Sequence, residues 1–381
     1  MPQTGVAINL ERKRVFWESA PHMDGKLRFG LIGCGRVSEN HLGALTAGGL
    51  AAELVAVCDV DEAKARAKGK KYKVPFYADY REMLRRHPEI DVINVATPTG
   101  YHAEHVIDLS RYGKHIVVEK PMALRVADCD RMIQACRRNR CRLFVVKQNR
   151  YNQAVVAARK AFEEGRFGKL VMGTVRVRWH RTQEYYEQDD WHGTWALDGG
   201  VMSQQASHHL DLLQWFLGPI KNLHCRTATR LLDIEVEDTA VATFQFRSGA
   251  LGAFEATVAT RPQDLEGSLS LLGEKGSVVL GGHAVNKVLY WGFNEPRPED
   301  AEIRNLFSQD VPNVYGRGHA PYLANVIEAI HRKKPGLVEG HEGKKNVQIL
   351  TALYESAARG GAILKPGCLV RCSRLGEKKK R

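Results

Sequence analysis

The sequence predicts an α/β protein of two domains: a Rossmann domain with a doubly wound parallel sheet, followed by an α+β domain with a large, open, mostly antiparallel sheet. Three observations indicate this. The 381 residues are more than one ordinary hydrophobic core accommodates. Short apolar runs alternate with helical stretches in the first 147 residues, and a glycine-rich turn follows the first run. Beyond residue 147, longer runs alternate between apolar and polar residues.

Composition and patterning divide the chain into four parts. Residues 1–24 are polar without a clear period, and we expect either a disordered extension there or a start assigned too far upstream, since Met23 stands directly before the first strand. Residues 25–147 form the predicted dinucleotide-binding domain, and residues 148–366 form the predicted substrate-binding and oligomerisation domain. Residues 367–381 are a basic tail, which we expect to be solvated.

The first domain carries the pattern of a parallel sheet covered on both faces. Nearly continuous apolar runs predict buried strands, and the stretches between them predict helices. The predicted strands are 27–32, 53–58, 91–96, 115–118 and 142–146, and the clearest helices are 102–112 and 126–138.

The second domain has alternating strands and few covering helices. Its predicted strands are 170–179, 239–246, 251–258, 268–272 and 277–280, and its predicted helices are 152–164, 321–331 and 344–359. A sheet of this kind leaves one face uncovered, so we expect a homodimer or homotetramer that associates through that face.

Charge and cysteine content limit the function classes. The net charge of +13 is spread along the chain apart from the tail, and no nucleic-acid-binding signature accompanies it. We therefore do not expect nucleic acid as a partner, whereas an anionic small molecule fits a basic enzyme. The eight cysteines lack zinc-site spacing, so reduced thiols and no metal are expected. No apolar run is long enough to cross a membrane, and we expect a cytoplasmic protein.

The glycine-rich turn at residues 31–38 predicts a dinucleotide site. Gly33 allows a tight turn after the first strand, and Gly35 allows the main chain to approach a pyrophosphate at the start of the next helix. The third position of the fingerprint is Ser38 instead of glycine or alanine. Asp59 ends the second predicted strand, where a carboxylate binds the adenosine ribose and repels a 2′-phosphate. The pattern favours NAD over NADP.

Glu119-Lys120-Pro121 follows a central predicted strand at its carboxyl end, where open α/β sheets bind ligands. An exposed charged loop would give the same tripeptide. Pro121 restricts the backbone of Lys120 to an extended conformation. A free lysine titrates near pH 10.4, so a base role requires burial or a neighbouring cation to lower its pKa.

Residues 199–211 predict a polar helix face. If a helix begins near Ser203, then Gln204 and His208 lie one turn apart and Asp211 joins them, whereas His209 points elsewhere. An ordinary amphipathic helix would also produce this arrangement.

In combination, these motifs resemble those of the glucose–fructose oxidoreductase, inositol dehydrogenase and rhizopine-catabolism (Gfo/Idh/MocA) family. The resemblance runs from about Leu27 to Leu364. Four motifs carry it in the expected order: the glycine turn at residues 33–41, Ala96-Thr97-Pro98 together with His102, Glu119-Lys120-Pro121, and His208-x-x-Asp211. It implies that Lys120 and His208 flank the hydroxyl being oxidised, from opposite domains across one cleft. Many members have a carboxylate one turn before the histidine, where this chain has Gln204, and an amide can orient a substrate but cannot take a proton.

Further segments resemble the UDP-N-acetyl-2-amino-2-deoxyglucuronate dehydrogenases of that family, which oxidise a sugar 3-hydroxyl in surface-polysaccharide synthesis. They are 146–152, 185–186, 191–195 and 236–239. Dehydrogenases of a free sugar or inositol, and a non-catalytic NAD-binding sensor of the same fold, remain alternatives.

The turn and the resemblance together nominate the site residues. The expected NAD-binding residues are Gly33, Gly35, Arg36, Val37, Asp59, Thr97, Pro98, His102, Glu119, Lys120 and Gln148. The expected catalytic residues are Lys120, His208 and Gln204, and the expected substrate-binding residues are Arg150, Trp191, Gln204 and Asp211. The sequence does not decide whether Lys120 or His208 is the base, since an imidazole titrates closer to neutral pH and an amine becomes a base only when its pKa is lowered.

Overall fold

A computed structural model describes residues 25–311 and 314–377 of the chain. The extension predicted for residues 1–24 lies outside the described residues. No helix of the described part is both long enough and apolar enough to cross a membrane.

Six parallel strands build the first sheet, five of which the apolar runs predicted. They are β1 Leu27–Ile32, β2 Ala52–Cys58, β3 Phe76–Tyr77, β4 Val92–Val95, β5 His115–Val118 and β6 Leu143–Val145. Their order in the sheet is β3-β2-β1-β4-β5-β6. Because the direction of winding reverses between β1 and β4, the segments that follow these two strands open a crevice at their carboxyl ends.

Helices cover both faces of this sheet. They are α1 Ser38–Thr46, α2 Glu62–Tyr72, α3 Tyr80–Arg86, α4 His102–Ser110 and α5 Val126–Arg138. One apolar core joins Phe29 of β1 to Leu42 of α1, and another joins Ile93 of β4 to Met132 of α5. Burial on both faces explains why the strands are nearly continuous apolar runs.

Seven strands build the second sheet, which is antiparallel except for one parallel pair. They are β7 Leu170–Arg178, β8 Ile220–Ala228, β9 Thr239–Phe246, β10 Leu251–Thr257, β11 Glu266–Gly273, β12 Gly276–Gly281 and β13 Lys287–Phe293. The order is β13-β12-β11-β7-β10-β9-β8, in which β7 and β10 are parallel. The helices of this half are α6 Gln153–Glu163, α7 Gln183–Glu187, α8 Val201–Gln204, α9 Ser207–Leu217, α10 Ile303–Phe307, α11 His319–His331 and α12 Gly340–Ala358.

The two faces of the second sheet differ as the alternation predicted. One face is buried in a core that includes residues of α6, α9 and α12. The other face exposes large apolar side chains, among them Val171, Val241, Leu251 and Leu272. The expected open face is therefore present in the chain.

Some elements differ from the sequence prediction. β3, β8 and β13 were not predicted, because β3 is only two residues long and polar residues interrupt the apolar pattern of β8. The single helix predicted from Ser203 is two helices. The amide of Ala206 reaches back five residues to the carbonyl of Val201, which ends α8 one turn before His208.

The basic side chains Arg371 and Arg374 of the tail are exposed, as we expected, but the backbone of the tail is anchored. The backbone amides of Arg371, Cys372 and Ser373 all donate to Oε2 of Glu355. Leu375 is buried. Residues 371–377 are therefore held against the second domain, because one buried carboxylate satisfies three successive amides.

Candidate active site

The glycine turn after β1 has the geometry of a pyrophosphate seat. Gly33 has φ of +92°, and a side chain there would meet the Ala96 backbone at 2.5 Å. Around Gly35, no atom lies within 4 Å of the position of a Cβ, so the main chain faces open space. Ser38 donates its hydroxyl to the Gly35 carbonyl at 2.6 Å, which explains a serine at the third position of the fingerprint. These residues fit a dinucleotide phosphate.

Two further residues of the turn lie at its rim. Val37 is the residue that precedes α1 and makes no side-chain cap. Arg36 donates to Gln188 of the second domain at 3.0 Å, and its guanidinium lies 5.1 Å from the centre of the Tyr185 ring. Arg36 thereby connects the glycine turn to the segment around α7.

Asp59 supports the turn from the end of β2. Its Oδ2 accepts the Cys34 amide at 2.6 Å, and its Oδ1 accepts the Asp61 amide at 2.9 Å. The carboxylate therefore lies half-buried beside the glycine turn, and its contact with the ribose of NAD stays a prediction. Asp61, by contrast, caps α2 by accepting the amides of Ala63 and Lys64.

The loop after β4 is tied to the loop after β5 by His102. Its two ring nitrogens lie 2.8 Å from the Thr97 carbonyl and 3.0 Å from the Pro121 carbonyl. The Thr97 hydroxyl lies 2.9 Å from His105. His102 thus orients the segment of Thr97 and Pro98, and its predicted direct contact with the coenzyme remains a prediction.

Glu119 lies in a buried hydrogen-bonded group. Its Oε1 lies 2.9 Å from His41 Nε2, and its Oε2 accepts the Lys120 amide at 3.0 Å. Burial alone would raise the pKa of Glu119, but His41 and His319 hold it well below its ordinary value. The carboxylate therefore remains charged and fixes the backbone just before the lysine.

His41, Glu119 and His319 also have the composition of a cation site, since one donor atom of each lies within 4.8 Å of the others. The Asn94 amide nitrogen lies 3.1 Å from His41 Nδ1, which leaves Nε2 of His41 as the proton donor to Glu119. We therefore interpret the group as a hydrogen-bonded support, and the absence of a metal stays a prediction. The role of Asn94 was missed because it lies within an apolar run, and that of His319 because it stands before the predicted helix with no motif around it.

Lys120 meets the second domain at Gln204. The lysine Nζ donates to the Gln204 carbonyl at 2.7 Å and to the side-chain oxygen Oε1 at 2.8 Å. Burial lowers the pKa of Lys120 from its ordinary value, although Glu119 and Asp198 oppose this effect. A larger share of the amine is therefore neutral than in a free lysine.

His208 belongs to the same site. It is buried, and neither ring nitrogen has a hydrogen-bond partner within the described residues. Burial lowers the pKa of His208 well below its ordinary value, and the charges of Lys120 and Lys147 lower it further. The imidazole is neutral at physiological pH, with one nitrogen able to donate and the other able to accept.

Arg150 and Asp211 form a buried ion pair with each other. The guanidinium donates two hydrogen bonds to the carboxylate, at 2.7 and 2.9 Å, and a third to Glu342 at 3.0 Å. Lys147 lies behind them, 3.6 Å from the same carboxylate, and burial lowers its pKa to about 8. Since these groups satisfy one another's charge and hydrogen bonds, the arrangement indicates a structural role for the pair. Contact of Arg150 and Asp211 with the substrate stays a prediction.

Two other nominated residues are positioned differently. Trp191 is half-buried in the loop after α7, with its ring 3.6 Å from the His192 ring. Gln148 is buried after β6, and its Oε1 has no hydrogen-bond partner within the described residues. An amide oxygen in this state fits a ligand donor, which agrees with the predicted coenzyme contact.

A carboxylate that the sequence did not suggest completes the site. Asp198 is buried and accepts hydrogen bonds from the Gly193 amide at 2.7 Å and from the side-chain nitrogen of Gln204. Burial raises its pKa to about 7. An aspartate directly before the pair Gly199-Gly200, within the polar segment, was the available signal.

Comparison with known protein families agrees with this geometry. Residues 27–147 match the NAD-binding Rossmann domain of the Gfo/Idh/MocA oxidoreductases, and residues 159–364 match their C-terminal alpha/beta domain. The chain belongs to the Gfo/Idh/MocA oxidoreductase family. The resemblance inferred from the motifs is thus confirmed, and so is the expected combination of a Rossmann domain with a mostly antiparallel second sheet.

Solved structures of this family include close neighbours of the chain. The WlbA dehydrogenase of Bordetella pertussis, solved with NADH and UDP-GlcNAcA, is 43% identical with a TM-score of 0.85, over 91% of this chain and 99% of that one. The WlbA dehydrogenase of Chromobacterium violaceum, solved with the same ligands, is 41% identical with a TM-score of 0.83, over 90% and 96% of the two chains.

Among characterised relatives, the myo-inositol 2-dehydrogenase of Thermotoga maritima is 29% identical over 84% of this chain and 92% of its own length. The family match and the relatives show that the present chain is an NAD-dependent oxidoreductase that acts on the CH–OH group of a sugar or polyol, and its glycine turn agrees with this. The alternative of a non-catalytic sensor is therefore set aside.

Proposed function

We propose that this enzyme oxidises the 3-hydroxyl of a UDP-linked N-acetylated glucuronate in surface-polysaccharide biosynthesis. The observation that carries the proposal is the similarity of 43% identity, over nearly the whole length, to a dehydrogenase solved with UDP-GlcNAcA. The segments that resemble nucleotide-sugar enzymes, including residues 191–195 beside Asp198, support the same substrate class.

The residues of the chain supply the binding and the proton chemistry. Gly33, Gly35 and Asp59 would hold the pyrophosphate and ribose of NAD, and two loops, that of Thr97 after β4 and that of Glu119-Lys120 after β5, would border its reactive end. When bound, the nicotinamide ring of NAD accepts the hydride that leaves the carbinol carbon. The hydroxyl proton must then leave the same substrate, so that a carbonyl forms.

Lys120 is the better candidate for the base. Its lowered pKa makes the neutral amine accessible, and Glu119 and Asp198 stabilise the ammonium that forms when the amine takes the proton. His208 is the poorer base, since burial and two neighbouring lysines disfavour its charged form. We assign His208 the role of a neutral hydrogen-bond partner for the reacting oxygen, in the manner of an oxyanion-stabilising group.

The test is oxidation of purified UDP-GlcNAcA by the full-length protein with NAD. Formation of NADH is followed by absorbance, and the sugar product is identified by mass spectrometry as the substrate less two hydrogens, which also detects turnover when NADH stays bound. UDP-GlcNAc without the carboxylate, the free sugar acid and myo-inositol serve as comparison substrates. Oxidation of the free sugar acid or of myo-inositol in preference to UDP-GlcNAcA would contradict this proposal and favour the second candidate, a dehydrogenase of a free sugar or inositol. The similarity to the Thermotoga maritima enzyme supports that second candidate.

We also propose that two or more copies associate through the open face of the second sheet. The exposed apolar side chains of Val171, Val241 and Leu251 lie on neighbouring strands of this face. Water exposure of such a surface is unfavourable, and a second copy of the same sheet would bury it. Light scattering of the protein and of a Val241→Lys variant tests this, since the variant should shift the protein toward the monomer.

A further inference from the structure

Asp198 and Lys120 lie on opposite sides of one side-chain amide. The Gln204 oxygen Oε1 accepts a hydrogen bond from Lys120 Nζ at 2.8 Å, and the Gln204 nitrogen Nε2 donates to Asp198. Asp198 is anchored in turn by the Gly193 amide at 2.7 Å. The three groups form a continuous chain from the second domain to the lysine of the first.

The carboxylate decides which end of the amide faces the lysine. A glutamine side chain can rotate by half a turn and exchange its oxygen and nitrogen positions at little steric cost. Above its pKa of about 7, Asp198 is ionised and only accepts hydrogen bonds, so at such pH it holds the Gln204 nitrogen on its own side. The oxygen is therefore held toward Lys120, where a rotated amide would place an N–H group against the amine.

The two oxygens of Gln204 then orient the lysine. A neutral amine has two N–H bonds and one lone pair. The Gln204 carbonyl and Oε1, at 2.7 and 2.8 Å, can accept both N–H bonds. The lone pair is thereby directed away from Gln204, where it can take a proton from a substrate hydroxyl.

We propose that Asp198 is a positioning residue for the dehydrogenase reaction, which acts on Lys120 by fixing the orientation of the Gln204 amide. Gln204 occupies the position at which the resemblance led us to expect a carboxylate. Asp198, which is hydrogen-bonded to the Gln204 side chain, thus supplies the negative charge that position 204 itself lacks. The inference rests on the role of base that the proposed function gives to Lys120, and it does not depend on which sugar is the substrate.

The first experiment uses rescue. Asp198→Asn replaces the acceptor that faces Gln204 with a group that can also donate, so the amide loses its preferred orientation. We expect kcat to fall about 10- to 100-fold, while KM for NAD changes by less than about twofold, since misplacing a reacting group has effects of this size. In the double variant with Gln204→Glu, one carboxylate oxygen accepts from Lys120 whichever way the side chain turns, so kcat should return to within about fivefold of the wild-type value.

A matched control is provided by a second buried carboxylate. Glu237 accepts the Met202 amide at 3.0 Å and the Tyr354 hydroxyl at 2.8 Å, and it makes no hydrogen bond to Gln204 within the described residues. Glu237→Gln should therefore retain kcat. A double variant as slow as Asp198→Asn alone, or a wild-type kcat in Asp198→Asn, would overturn the proposal.

The second experiment does not depend on turnover. Lys120 is half-buried, so acetic anhydride can label its neutral amine, and mass spectrometry of the peptide gives the labelling rate at each pH. We expect the labelling midpoint of Lys120 to move to lower pH in Asp198→Asn and to return in the double variant. An unchanged midpoint in Asp198→Asn would overturn the inference. If Asp198→Asn shows the shift but the wild-type enzyme does not oxidise UDP-GlcNAcA, only the proposed function is overturned.

Discussion

The amine of Lys120 lies 2.7 Å from the carbonyl of Gln204 and 2.8 Å from its side-chain oxygen, although 84 residues separate the two in sequence. Lys120 follows β5 of the Rossmann sheet, and Gln204 ends α8 of the second domain. The contact brings the lysine into the neighbourhood of His208, whose pKa it lowers. The two domains therefore meet at the residues to which we assign the chemistry.

The first prediction concerns Lys120 itself. Lys120→Met keeps an unbranched side chain of similar length but removes the amine, so we expect turnover to fall at least about 10³-fold, as for removal of a general base. NADH binding, measured by fluorescence titration, should change by less than about threefold, since Gly33, Gly35 and Asp59 hold the other end of the coenzyme. Turnover close to the wild-type value would exclude Lys120 as the base.

The second prediction concerns coenzyme choice. Asp59→Ser removes the negative charge at the expected ribose site, so NADPH binding should improve and NADH binding should weaken, each by about tenfold. Asp61→Ser is the matched control, because Asp61 caps α2 and a serine also caps. Fluorescence titration with both reduced coenzymes checks the result, and equal effects of the two variants would contradict the role of Asp59.

The third prediction is a pH dependence of stability. The pKa of Asp198 is about 7 in the folded protein and about 3.9 when unfolded, so between these values the folded state holds a proton that the unfolded state lacks. The free energy of unfolding therefore falls as pH rises through this window, by about 4 kcal/mol for three pKa units, and is level above it.

Asp198→Asn should remove this part of the pH dependence. Urea unfolding at about pH 5 and about pH 8 is the measurement, and the variant should lose less stability between them than the wild type. Glu237, whose pKa burial also raises to about 7, contributes a slope of the same sign that persists in the variant. An unaltered pH dependence in Asp198→Asn would show that Asp198 is ionised across the whole window.

The fourth prediction separates structure from substrate binding at Asp211. Burial alone would raise the pKa of Asp211, but Arg150 and Lys147 hold it below the ordinary value. Its stabilising contribution is therefore present above about pH 4 and is lost as pH falls. Asp211→Asn leaves Arg150 buried without its main partner and should cost about 3–5 kcal/mol of unfolding free energy.

The control for Asp211 is Glu342→Gln, which removes only the outer partner of Arg150 and should cost about 1 kcal/mol. Urea unfolding measures both variants at neutral pH. A stable Asp211→Asn variant with a strongly raised KM for the sugar would instead assign Asp211 to the substrate.

The fifth prediction concerns the tail. Deleting residues 371–381 removes the buried Leu375 and the hydrogen bond from the Gly376 amide to the Trp195 carbonyl, three residues before Asp198. We expect a loss of about 2 kcal/mol of stability and a lower kcat. Deletion of residues 378–381 alone keeps both contacts and should change neither the stability nor kcat. DNA retention at physiological salt should be the same for the wild type and both deletion variants.

Much of the fold could be predicted because local patterns carry it. β1, β5, α5 and β9 agree with their predicted bounds, since buried parallel strands are continuous apolar runs and helices repeat with their own period. β8 was missed because polar side chains on its outer face interrupt the pattern. The break between α8 and α9 depends on a backbone hydrogen bond from Ala206 to Val201, and no residue type in this segment predicts that bond.

The sequence by itself determined the family, the coenzyme and the approximate positions of Lys120, Gln204 and His208, because a glycine turn and a motif at a strand end are local features. Only the tertiary structure decided what these side chains touch. It placed Asp198 behind Gln204, paired Arg150 with Asp211, and fixed the tail on Glu355. Burial raises the pKa of Asp198 and lowers that of His208, and burial is set by which elements pack together, not by the neighbours of a residue along the chain.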